Sequence, residues 1–89
     1  MFDTPDIIEV RALEQYFIYI KFKNGEEKVY DMTRHIEDIK FYNKLKHKDY
    51  FKNVKPRGDT VEWENGEDVA PENLYYDSVP KSEYNGKID

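Results

Sequence analysis

Apolar and polar positions alternate along the first third of the chain. From Ile7 to Ala12 the alternation puts Ile8, Val10 and Ala12 on one side and Ile7, Glu9 and Arg11 on the other, which predicts a first strand. From Tyr16 to Tyr30 the same period runs on either side of Asn24-Gly25. Asn-Gly is the residue pair of a type I′ turn, whose two positive-φ positions match the twist of paired strands. With those two residues as the loop, Ile20 faces Val29 and Tyr19 faces Tyr30. One face of the hairpin then carries Ile18, Ile20, Phe22 and Val29, and the other Phe17, Tyr19 and Tyr30. Both faces are apolar or aromatic, so the hairpin is expected inside a sheet. Leu13-Glu14-Gln15 is a tight connection, and the three strands form an antiparallel meander.

After Tyr30 the period changes. Asp31 or Thr33 suits a helix N-cap, Ile36 and Ile39 are three apart, and Phe41 and Leu45 share a second apolar side. Two short helical pieces are predicted, roughly at 34–45 and 48–53. Lys55-Pro56-Arg57-Gly58 ends them, because proline cannot continue a helix and glycine turns the chain. Thr60 to Trp63 and Asp68 to Ala70 flank Asn65-Gly66 and predict a second, shorter hairpin, with Glu62 opposite Val69. Pro71 opens one helical turn through Tyr75. Residues 1–6 are expected to be loose. The fold class is α+β: a small antiparallel sheet, a three-stranded meander plus a second short hairpin, with short helices between the hairpins. Residues 1–76 form the one domain, and 77–89 are read as a flexible acidic tail with little to bury.

Composition narrows the function classes. Aromatics make up 16% of the 89 residues, enough to build a core although 37% are charged. The absence of cysteine excludes disulfides and thiolate metal sites. No apolar run is long enough to span a membrane, and the N-terminus lacks a secretory pattern, so a soluble cytoplasmic protein with no membrane partner is expected. Charge is unevenly spread. Residues 34–57 carry 8 basic and 3 acidic side chains, a net of +5, whereas residues 58–89 carry 2 basic and 9 acidic, a net of −7.

Several pieces, taken in order, resemble a known bacterial family. They are Val10-Arg11-Ala12-Leu13, Ile20 to Glu26, Tyr30-Asp31-Met32, Phe41 with Leu45, Tyr50-Phe51, Val61 to Gly66 and Ala70 to Tyr75. This order is similar to the domain of unknown function 2442. The resemblance implies a small α+β domain and supplies no catalytic residues. Some short relatives are thought to be encoded beside another small protein, an arrangement suggestive of toxin–antitoxin pairs.

The chemistry-bearing residues point away from an enzyme. There is no Gly-rich phosphate loop, no Ser/His/Asp spacing and no cysteine nucleophile. His35 and His47 are too few for a metal site, which takes three or four donors, so no metal or other cofactor is expected. Two surfaces remain. Lys40, Lys44, Lys46, Lys48, Lys52, Lys55 and Arg57 interleave with Tyr42 and Tyr50. They form a candidate basic patch for an acidic protein partner, for the chain's own acidic C-terminal part, or for nucleic acid. Phe17, Tyr19 and Tyr30 form a candidate protein interface. Either terminal segments cover that aromatic face, or it stays open for a homodimer or another protein. The expected function is a non-enzymatic protein-interaction module, one member of a two-gene, antitoxin-like system. The alternative is a nucleic-acid-associated regulator using residues 40–57.

Overall fold

In the computed structural model, which describes residues 4–86 and Ile88, four antiparallel strands form one sheet. They are β1 (Ile7–Ala12), β2 (Phe17–Phe22), β3 (Glu27–Asp31) and β6 (Val79–Pro80), in the order β1-β2-β3-β6. β4 (Lys55–Arg57) and β5 (Thr60–Glu62) make a separate two-stranded hairpin. Three short helices complete the α+β fold: α1 (Thr33–Asp38), α2 (Lys48–Phe51) and α3 (Pro71–Tyr76). Residues 1–3, 87 and 89 lie outside the described residues, and with them the ends of the segments expected to be loose.

The β2–β3 turn is one residue longer than predicted. Phe22 N donates to Glu26 O and Gly25 N to Phe22 O, both at 2.9 Å, so Lys23-Asn24-Gly25 is a three-residue loop. Only Gly25 in it has positive φ, at 94°. A type I′ turn needs two such residues, whereas a type I turn closed by a left-handed glycine needs one. The Asn24 carboxamide oxygen instead accepts the Glu26 amide at 3.0 Å. The register therefore slips by one: Ile18 faces Tyr30 and Tyr19 faces Val29. A one-residue slip exchanges faces along the strand. Tyr30 joins Ile18, Ile20 and Phe22 in the core, and Val29 joins Phe17 and Tyr19 on the other face.

The second Asn-Gly turn behaves in the same way. Gly66, at φ 93°, closes a loop in which Trp63 N donates to Glu67 O, so Glu62 bridges Asp68 rather than Val69. The main partner of β5 is β4, joined to it through Gly58-Asp59. β1 also departs from strict alternation. A bulge between Ile7 and Glu9 leaves Ile8 55% exposed, and Ile7 takes the core position beside Phe22.

The predicted helix at 34–45 is two elements. Ile39 is extended (φ −121°) and ends α1, and a 3-10 stretch follows over Lys40–Lys46. Side chains three apart eclipse in a 3-10 helix. Tyr42 and Leu45 therefore share the buried side, and Phe41, expected beside Leu45, is turned outward. The buried cluster joins side chains of this helical layer to those of the sheet, and Trp63 is its largest fully buried side chain. The Trp63 ring stacks on Phe51 at 5.7 Å and its indole N–H donates to Phe51 O at 2.9 Å.

The segments expected to be loose are tied down where they are described. Thr4 Oγ1 donates to Asp59 Oδ2 (2.6 Å), and Asp6 O accepts Lys23 N (2.8 Å). The expectation of a flexible tail from residue 77 is corrected by β6, where Val79 pairs with Val29 and Pro80 with Lys28. Proline is tolerated there because β6 is an edge strand, with no ladder to complete along its outer edge.

Candidate functional site

The predicted aromatic interface does not exist as one surface. Tyr30 is buried in the core, where its hydroxyl lies 2.7 Å from His35 Nε2. Burial, with Asp77, Tyr42 and Asp31 nearby, pushes its pKa up to about 12. Phe17 and Tyr19 remain on the opposite face and are covered. Arg11 lies over the Tyr19 ring at 4.8 Å, Lys81 lies 5.9 Å from its centre, and Tyr84 packs on Phe17 at 5.4 Å. Tyr19 is 3% exposed, and burial followed by its hydrogen bond to Glu27 raises its pKa to about 12. That same bond, ahead of the charges of Lys81 and Lys21, holds the Glu27 carboxyl below the usual range. Residues 79–84 thus form a strap across the second face, fastened at Val79 to Val29, at Lys81 to Glu27 (3.6 Å) and at Tyr84 to Phe17.

The basic residues are all exposed. Lys40, Lys44 and Lys46 ride on the 3-10 stretch, Lys48 and Lys52 on α2 and its C-cap, and Lys55 and Arg57 on β4. Among the described residues only Arg57 of the seven makes an ion pair, with Glu62 at 3.3 Å. Beyond that pair, two other carboxylates of the chain's own acidic part are engaged elsewhere. Glu67 accepts the Tyr50 hydroxyl at 2.6 Å, and Asp59 accepts Thr4. Of Tyr42 and Tyr50, expected to be available for stacking, the first is buried and the second half-buried with its hydroxyl engaged. Tyr42 donates to Asp68 O (2.6 Å), and burial raises the pKa of both hydroxyls. In their place Phe41 stands 57% exposed among the lysines, beside Ile39 at 44%.

Two concavities were not foreseen. One, of about 340 Å³, lies between the β1–β2 connection and α2. Its apolar lining includes Leu13, Tyr16 and Phe51, and Lys48 and Lys52 border it one helical turn apart. The wall is shaped by two left-handed non-glycine residues, Gln15 (φ 58°) and Tyr16 (φ 64°). Such a conformation persists where the surroundings fix it. Here the Tyr16 hydroxyl donates to Lys46 O at 2.6 Å, its ring meets Phe51 edge-on at 5.4 Å, and its carbonyl accepts Met32 N. Nothing in the Glu-Gln-Tyr sequence advertises this turn. The other concavity, about 470 Å³, lies between α1 and α3 and is lined by Tyr30, Asp31, Arg34, His35, Asn73 and Asp77. Among the described residues no His, Asp or Glu cluster is placed to hold a metal ion, and no helix is long and apolar enough to cross a membrane.

Comparison with curated proteins and with solved structures finds no match to this chain. A family model does match, and it spans residues 7–80, so it takes in β6 as well as the elements from β1 to α3. The chain belongs to the family described as Protein of unknown function (DUF2442).

Proposed function

We propose that this chain is a non-enzymatic, cytoplasmic module that docks an acidic protein on its basic surface, as one member of a two-protein, antitoxin-like pair. The observation that carries this reading is the exposure of Phe41 and Ile39 among lysines that have no ion pair within the described residues. Interfaces concentrate their binding energy in a few aromatic or aliphatic anchors, and a surrounding ring of charge sets orientation and encounter rate. Nucleic acid is the weaker fit, because of the two residues suited to base stacking Tyr42 is buried and Tyr50 is half-buried with its hydroxyl held by Glu67. The paired arrangement rests on the family resemblance alone.

The test is capture of a partner by the tagged chain, compared with a Phe41→Ser/Lys44→Glu variant, together with a heparin column. Retention of one acidic partner by the wild type alone, with flow-through on heparin, supports the reading. Heparin retention that yields only at raised salt, with equal capture by the variant, overturns it in favour of nucleic acid.

A further inference from the structure

We infer that the groove between Leu13–Tyr16 and α2 receives a bulky aliphatic side chain of an acidic partner segment, and that the chain's own Ile88 competes for it. The inference rests on the protein-docking reading and names the anchor pocket and the chemistry of its occupant.

Three observations converge on the groove. Its lining is apolar, through half-buried Leu13 and Tyr16 and buried Phe51, so it favours a hydrocarbon group over water. Its volume of about 340 Å³ lies at the low end of the range for small ligand pockets, enough for a side chain or two. Among the described residues Lys48 and Lys52 stand on one border without ion pairs, whereas exposed Glu14 lies on the other. An entering peptide is thereby oriented, with its carboxylates toward α2 and away from the β1–β2 connection.

The occupant's character is indicated by the chain itself. Tyr84 packs on Phe17 on the second face, and half-buried Ile88 forms part of the groove's lining. A single aliphatic side chain is a weak latch, since the entropy lost on ordering it offsets much of the gain from burial. Even so, it competes at the high effective concentration of an intramolecular ligand. A partner segment that adds carboxylates for Lys48 and Lys52 displaces it.

The experiment measures fluorescence anisotropy of a short labelled peptide, a leucine flanked by glutamates, against a twin with serine in place of leucine. Both are titrated with the full-length wild type, with Ile88→Ser and with Lys48→Glu/Lys52→Glu, and circular dichroism checks that each variant is folded. The leucine peptide is expected to bind at least about tenfold tighter than its serine twin. Ile88→Ser should tighten it by about fivefold, because the competing state is removed. The lysine pair variant should weaken it by about tenfold. Equal binding of the twins overturns the groove while leaving docking by charge intact. Weaker binding by a folded Ile88→Ser variant, or a dimer that this variant abolishes, also overturns it, the latter by assigning the groove to a second copy. Absence of binding by either peptide, together with loss of partner capture by Phe41→Ser/Lys44→Glu, overturns the groove and leaves the wider reading standing.

Discussion

Replacing Tyr19 by alanine separates a closed second face from an open one. The ring is 3% exposed, flanked by Arg11 and Lys81, and paired across the ladder with Val29, which is 2% exposed. Large-to-small changes at buried aromatic positions cost about 3–5 kcal/mol where the site cannot collapse. Here one wall is the strap, a short edge segment able to settle into the vacated space, so the expected loss is about 2–4 kcal/mol. For a domain of this length that lowers the thermal midpoint by roughly 10–25 °C. Tyr19→Phe retains the ring and loses only a hydrogen bond to the part-exposed carboxylate of Glu27, so it should cost less than the alanine change. Thermal melts by circular dichroism, with sedimentation at the same concentrations, decide the matter. A Tyr19→Ala chain that melts with the wild type, while a wild-type dimer becomes monomeric, would refute the covered face.

Truncation after Tyr76 removes the Val79–Val29 pairing and the Tyr84–Phe17 contact, and should lower the thermal midpoint by several degrees; an unchanged melt would show that the strap contributes nothing. Tyr50→Phe strips buried Glu67 of its hydroxyl donor and the Asn65 amide of its acceptor, at an expected cost of about 1–3 kcal/mol in chemical denaturation. Gly25 has φ 94° with open space around its missing side chain, so Gly25→Val should cost about 1–3 kcal/mol through backbone strain alone. Tyr19 and Tyr30 ionise near 12 in the folded chain against about 10 when unfolded, so the folded state holds their protons more tightly. Stability from both is intact below pH 10 and falls as the pH rises toward 12. An alkaline melt series followed by tyrosinate absorbance checks this, and constant stability across that window would contradict it.

The sequence made element types legible more readily than register. Asn24-Gly25 and Asn65-Gly66 mark turns, but Asn-Gly serves both the two-residue and the three-residue hairpin loop. The choice is made at a distance. In the observed register Tyr30 meets His35 of α1, and Lys28 reaches Tyr75 O on α3 at 2.9 Å. Neither partner can be known from residues 16–30. The adjacent Ile7 and Ile8 conceal a bulge for a related reason, since two apolar neighbours fit either face. β4 was unreadable because Lys55, Pro56 and Arg57 are all exposed and carry no period. β6 is two residues long, below the span over which alternation can be detected. The basic residues were legible because lysine stays in water almost regardless of fold. Their anchor was not, since placing Phe41 outside and Tyr42 inside depends on a three-residue period that only the 3-10 stretch imposes.

That distinction bears on how the surface would act. Residues 58–89 carry a net of −7 and could have neutralised the +5 of residues 34–57 within the molecule. In the fold Glu62 meets Arg57, Glu67 meets Tyr50 and Asp59 meets Thr4, so six of the seven cations face solvent without an ion pair among the described residues. Charge attraction between exposed groups fades over about 8 Å at physiological salt, so lysines alone would accelerate encounter and hold little. Burial of an apolar anchor is barely screened by salt. The two contributions therefore separate in one salt series: the association rate of an acidic partner should fall steeply as salt rises, whereas the dissociation rate should change little unless Phe41 or the groove is altered. A dissociation rate that climbs in parallel with salt would mean that charge, and not Phe41 or the groove, holds the partner.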